Sequence, residues 1–232
     1  MRPSPNPPPP LPAAWPYPGR AALPPLRVDR AVVVPGQPGA WELVSDGSVE
    51  WGAPFQPLGA AFGRGGVGRA GEVVIRPYRR GGWMRHVNGK TYGNPGRFRA
   101  ELDLHRALWE AGFPTVRPLG FAWRPHRWGV EGLYLTAFAP GAPWPHAWSE
   151  EAWPAVAQAM KALADWGCWS PDLNATNVHV PAAGSPLVLD FDRARFEASA
   201  DLRRRYAERL ARSLEKLGAP ESLRRHVAEF RC

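Results

Sequence analysis

With 232 residues, 44% of them hydrophobic, the chain is long enough for one large domain or two small lobes with a real core. Its 29 Lys and Arg against 21 Asp and Glu leave a net charge of +8, which suits an anionic partner (nucleic acid, anionic lipid or a phosphorylated substrate) without choosing among them. Two cysteines, Cys168 and Cys232, exclude a disulfide framework or a CxxC metal site and make a reducing cytoplasm the default; no apolar run reaches the ~18 residues of a spanning helix, and Arg2 is followed by no apolar stretch of a secretory signal.

Residues 1–27 are dominated by proline, including the run Pro7 to Pro10, and read as a disordered or polyproline II tail with too little apolar periodicity for a core. Ala31 to Val34 and Trp41 to Val44 read as short strands bounded by Pro and Gly. Phe62 to Arg69 is a glycine-rich turn carrying Gly63, Gly65, Gly66 and Gly68, followed by the β-rich run Glu72 to Arg76. These glycines lie between strands rather than opening a helix, and no Gly-Lys-Ser/Thr follows, which argues against a dinucleotide-binding turn or a P-loop. Residues 78–96 are basic and turn-rich, with Arg79, Arg80, Arg85 and Lys90.

Residues 97–111 have the spacing of a helix, with Phe98, Leu102, His105 and Trp109 on one stripe beside Leu104 and Leu108, and Gly112 and Pro114 to end it. Two strands are expected around 116–123 and 132–138, and Pro140 to Pro143 then breaks the chain. Trp153, Val156, Ala157, Met160, Leu163 and Ala164 predict a second helix over 149–166 with Ser149 as its N-cap. After a loop over 167–176, short strands are expected near 177–180 and 187–191, and Leu202, Tyr206, Leu210, Leu214 and Leu217 mark a third helix stopped by Gly218 and Pro220. The expectation is an α+β chain: an antiparallel-sheet lobe with one helix over 28–139 and a mostly helical lobe over 140–232, the layout of a two-lobed cleft enzyme.

Chemistry concentrates in Asp172-Leu173-Asn174-Ala175-Thr176-Asn177 and Leu187-Val188-Leu189-Asp190-Phe191-Asp192. Phosphoryl transfer asks a protein for one acceptor to orient the attacking hydroxyl and for oxygen ligands to hold Mg²⁺ on the phosphates. A loop Asp five residues before an Asn supplies one of each, and an Asp ending an apolar strand supplies a second ligand.

Asp-x-x-x-x-Asn followed by Asp-Phe-Asp resembles the catalytic and metal loops of the protein-kinase superfamily. The fuller Asp-Leu-Asn-Ala-x-Asn with Asp-Phe-Asp resembles the bacterial lipopolysaccharide kinase family, and within it the 3-deoxy-D-manno-octulosonic acid (Kdo) kinases. Arg76 to Gly82, Glu101 to Pro118 and Leu202 to Lys216 with its Arg-Ser-Leu-x-Lys ending agree, so the resemblance covers roughly residues 55–217. It implies a two-lobed protein-kinase-like fold using ATP and Mg²⁺. Gly63, Gly65, Gly66 and Gly68 would cover the ATP phosphates, and Arg76 would touch the α/β phosphates where protein kinases use Lys, held by Glu101. Asp172 would be the catalytic base, and Asn177 and Asp190 would hold the metal. Adenine would meet the segment Thr136 to Pro140. Ser170 stands where the family carries a mainly structural His.

The acceptor implied is the Kdo sugar of a lipid A precursor, an anionic glycolipid met at the cytoplasmic face of the inner membrane through a basic surface. The stretch Arg76, Arg79, Arg80, Arg85, Lys90 reads either as a solvated face or as an anion-binding lip, Trp83 as a contact for lipid or a sugar ring, and Asp192 as a loop cap or an outer metal contact. His105 and His179 read as surface or packing residues. The rivals are a kinase of the same fold acting on another small hydroxylated substrate, a pseudokinase scaffold, and a nucleic-acid binder, which the absence of an RNP, KH or zinc-finger signature disfavours.

Overall fold

The computed structural model describes residues 8–59, 66–79, 91–146, 148–181 and 184–229, arranged as a mixed α/β protein with a large antiparallel sheet and four helices. The chain forms two compact units: Ala22–Arg106 with Arg117–Phe138, and Met1–Ala21 with Ala107–Val116 and Ala139–Cys232.

In the first unit, seven strands pair in the order β1-β2-β6-β7-β5-β4-β3, comprising β1 (Arg27–Val33), β2 (Ala40–Ser45), β3 (Gln56–Pro57), β4 (Gly68–Ala70), β5 (Val73–Pro77), β6 (Pro118–His126) and β7 (Gly129–Ala137). Period-two alternation divides their side chains between two apolar layers. Leu43, Val73, Ile75, Leu133 and Leu135 enter one layer. Val44, Phe121 and Tyr134 enter the other, where Phe98 and Leu102 of helix α1 (Gly96–Glu110) cover them. Strands β6 and β7 run past the expected ends because Arg124 stands opposite Glu131 and binds it at 2.5–2.8 Å, holding a hairpin whose Arg-Pro-His segment has little strand propensity. Edge strand β1 is broken by a register shift between Asp29 and Val32 and carries Arg27, Asp29 and Arg30, features that discourage further strand pairing.

The second unit holds α2 (Trp153–Asp165), α3 (Leu202–Lys216) and α4 (Glu221–Glu229), with α2 against α3 and α3 against α4. A three-stranded sheet joins β8 (Gly141–Pro143), β10 (Val178–Pro181) and β11 (Leu187–Val188), and a two-stranded one joins β9 (Cys168–Trp169) to β12 (Arg195–Phe196). Its buried residues include Trp144, Met160, Leu163, Phe191, Leu210, Leu214 and Val227. Helix α2 starts later than expected: Ser149 is not its cap, because Ala152 occupies that position and the Ser149 carbonyl instead accepts from Ala152 N–H and Trp144 Nε1.

Within the stretch 1–27, expected from its composition to be a disordered or polyproline II tail, residues 8–26 make specific contacts. Trp15 Nε1 donates to the Ala111 carbonyl at 2.7 Å, and its ring meets Phe113 and Trp166. Trp166 Nε1 in turn donates to the Pro9 carbonyl at 2.9 Å. Arg20 donates from its backbone to Glu110 O at 2.7 Å and from Nη1 to Trp109 O and Phe113 O at 3.0 Å. Helix ends leave carbonyls without intrahelical partners, and this proline-rich strap supplies donors to those of α1. Gly112 makes the approach feasible: its φ is +82°, and a Cβ there would lie 1.8 Å from Pro18 O. The same contacts explain why Ala107–Val116 groups with the helical unit rather than with the expected lobe over 28–139.

Candidate active site

In the first unit, β5 directs Val73 and Ile75 to one side of the sheet and Arg76 to the side covered by α1. Arg76 Nη2 donates to Glu101 Oε1 at 2.6 Å, and Tyr78 Oη donates to Glu101 Oε2 at 2.6 Å. Glu101 is almost fully buried, and the Arg76 side chain retains 27% exposure, so the carboxylate is consumed inside while the arginine stays in part open to solvent. Burial, and then the Glu101 charge, push the Tyr78 hydroxyl well above its ordinary pKa, which keeps it a donor. His105 is a packing residue, with Nδ1 at 2.8 Å from Tyr134 Oη.

Gly63 and Gly65 lie outside the described residues, as do Arg80, Trp83, Arg85 and Lys90. Gly66 has φ +86°, and a Cβ on it would come within 2.9 Å of Arg79 Nη2. On Gly68 a Cβ would lie 2.2 Å from the Phe55 ring, so the missing side chain there makes room for a packed aromatic. Gly66 and Arg79 line a shallow groove with Trp41 and Arg124, and none of Asp172, Asn177 or Asp190 belongs to it.

In the second unit, the pairing of β10 with β11 sets the geometry. Val178 stands opposite Val188, so Asn177 lies beside Leu189, whose N–H donates to Asn177 O at 2.7 Å. Asn177 Nδ2 then reaches Asp190 Oδ2 at 3.3 Å. Asp190 has φ +67°, a left-handed conformation that costs a non-glycine residue about 1–2 kcal/mol and that Asp and Asn tolerate best. The Asp192 N–H donates to Asp190 Oδ1 at 3.3 Å, so this neighbour steadies the carboxylate through its backbone.

Asn174 ties Asp172 to that pair. Its Nδ2 donates to the Asp172 carbonyl at 2.8 Å, its Oδ1 accepts from Thr176 N–H at 2.8 Å, and its own N–H donates to Asn177 Oδ1 at 3.2 Å. This reciprocal cap opens the single turn Ala175–Asn177. The Asn177 amide thus turns its nitrogen to Asp190 and its oxygen to Asn174 N–H, so one carboxylate and one amide, groups whose oxygens are of the kind Mg²⁺ takes, lie next to each other.

Sequence reasoning missed the support beneath this loop. One face of α3 carries Tyr206, Arg209 and Ser213 at helical spacing. Tyr206 Oη donates to Cys168 O at 2.8 Å and accepts from Ser170 N–H at 2.9 Å. Arg209 Nε donates to Leu173 O at 2.6 Å, and Ser213 Oγ accepts from Ala175 N–H at 3.1 Å. Three side chains thus fix the loop backbone on both sides of Asp172. Ser170 has a buried hydroxyl with no hydrogen-bond partner among the described residues. Tyr206→Phe keeps the ring against Trp169 but strips both backbone groups of their partner. It is expected to destabilise the protein by about 2–3 kcal/mol, read as a lowered denaturant midpoint at unchanged m-value.

The model of the lipopolysaccharide kinase (Kdo/WaaP) family matches residues 56–230. A 3-deoxy-D-manno-octulosonic acid kinase of Xanthomonas campestris pv. campestris (strain B100) is 32% identical over 190 residues, covering 72% of each chain. One from Xylella fastidiosa (strain M12) is 30% identical over 196 residues, covering 75% of each. Among solved structures, WbdD matches with a TM-score of 0.48 and 17% identity over 83% of this chain, which spans 45% of the WbdD chain.

Proposed function

The chain belongs to the lipopolysaccharide kinase (Kdo/WaaP) family, phosphotransferases with an alcohol group as acceptor, and we propose that it moves the γ-phosphoryl group of ATP to a hydroxyl of the Kdo sugar on a lipid A precursor. The observation that carries this reading is the Asn177–Asp190 contact at 3.3 Å, formed in the turn that Asn174 also ties to Asp172. Asp172 accepts the hydrogen bond of the attacking hydroxyl and orients it. The Asp190 carboxylate and the Asn177 side chain would hold Mg²⁺, which when bound offsets phosphate charge. Arg76, kept in place by Glu101, meets the α/β phosphates. Adenine meets the segment Thr136 to Pro140, where Phe138 N–H is already committed to Glu72 O. Positioning and electrostatics supply the catalysis, since the transferred group needs little covalent help.

The acceptor lies on a membrane surface in this reading. No helix among the described residues is long and apolar enough to cross a bilayer. A net charge of +8 supports peripheral contact with an anionic leaflet instead.

The test is an acceptor screen with labelled ATP and Mg²⁺. Kdo-bearing lipid A precursor is expected to take up label, and neither free neutral sugars nor aminoglycosides are. Label on another acceptor alone would move the assignment to a different substrate, and no turnover with any acceptor would leave a pseudokinase.

A further inference from the structure

Arg193 has no part in the reading above, yet the fold aims it at the proposed base. Ala194 N–H donates to Phe191 O at 2.9 Å, closing a turn with Asp192 and Arg193 at its corners. Arg193 has φ +65°, at a turn position where glycine would carry no steric cost. The side chain remains 60% exposed, and its Nη1 stops 3.7 Å from Asp172 Oδ2. Arg209 Nη2 approaches the other oxygen, Oδ1, to 3.9 Å. Neither separation is a hydrogen bond. Arg209 is anchored by its bond to Leu173 O, whereas the Arg193 guanidinium has no side-chain partner among the described residues besides Asp172. Two cations around one carboxylate leave a positive charge beside the place where the acceptor hydroxyl must sit.

Resting on the kinase reading, we propose that Arg193 is a specificity residue that binds a carboxylate carried by the acceptor close to its reacting hydroxyl. A planar guanidinium with five donors matches a carboxylate in a bidentate fork. The family relatives are named for an octulosonic acid, a sugar whose acid group would meet this fork while Asp172 takes the hydroxyl. The second anion that could reach Arg193 is the phosphoryl group in transfer, and the two predict different kinetics.

Steady-state rates are measured for wild type, Arg193→Met and Arg193→Lys with the Kdo-bearing precursor and with its carboxyl methyl ester. Arg193→Met is expected to raise KM for the acid acceptor about 10–100-fold, with kcat and the KM for ATP unchanged. The ester is turned over equally by wild type and Arg193→Met, and Arg193→Lys recovers part of the loss on the acid. An equal fall in kcat on acid and ester, at unchanged KM, would place Arg193 on the phosphoryl group and overturn the proposal. Unchanged kinetics on the acid would overturn it as well. If the wild-type protein phosphorylates neither acceptor, the reading of Kdo as the acceptor falls and takes this inference with it.

Discussion

Asp172→Asn is expected to lower kcat for acceptor phosphorylation by about 10²–10⁴-fold, with the fold and nucleotide affinity kept. The side chain is 41% exposed, and its ion pairs with Arg193 and Arg209 are long at 3.7 and 3.9 Å. An exposed pair of that kind contributes little to stability, about 0–1 kcal/mol. The bond that positions residue 172, from Asn174 Nδ2 to the backbone carbonyl, does not involve the side chain and survives the exchange. What the amide loses is the charged acceptor that fixes the hydroxyl for in-line attack. Initial rates with the Kdo-bearing precursor, paired with a thermal melt and an ATP-binding isotherm, separate these effects. A variant within a few-fold of wild-type kcat would remove Asp172 from the chemistry.

Residues 172, 177 and 190 could be grouped from the sequence because the contacts among them are local or follow from one strand pairing. Asp172 and Asn177 share a capped turn, and Asp190 reaches Asn177 as soon as β10 pairs with β11. The grip of α3 was not legible, since Tyr206, Arg209 and Ser213 meet the loop across 36–38 residues of sequence, and no local pattern encodes that register. The three longer helices announced themselves through repeated apolar positions. Helix α4 did not: it follows the Gly218 and Pro220 stop signals, and Leu223 and Val227 are its only fully buried apolar pair among the described side chains. Proline composition hid the strap for a different reason. A segment without periodicity can still be ordered by a few anchors, here Trp15 and Arg20, because proline reduces the entropy that ordering removes.

The left-handed backbone at Asp190, with φ +67°, decides how its role is best tested. Alanine in that conformation would add backbone strain of about 1–2 kcal/mol, so a dead Asp190→Ala protein could be dead for want of a fold. Asparagine accepts positive φ readily, preserves the size of the group, and can still face Asn177 across the 3.3 Å contact. It removes the negative charge and one of the two acceptors, so either the Asn177 amide or the Asp192 N–H gives up its bond, at about 1 kcal/mol. Asp190→Asn is therefore expected to melt close to wild type while kcat falls by about two to three orders of magnitude. The Mg²⁺ concentration giving half-maximal activity should also rise at least tenfold, because a hard cation loses its one charged protein ligand. Isotherms for ATP with and without Mg²⁺ complete the argument: the metal should strengthen nucleotide binding in the wild type and do so much less in the variant. Equal metal enhancement in both proteins would mean that the 177–190 pair is a structural contact and that the cation is held elsewhere.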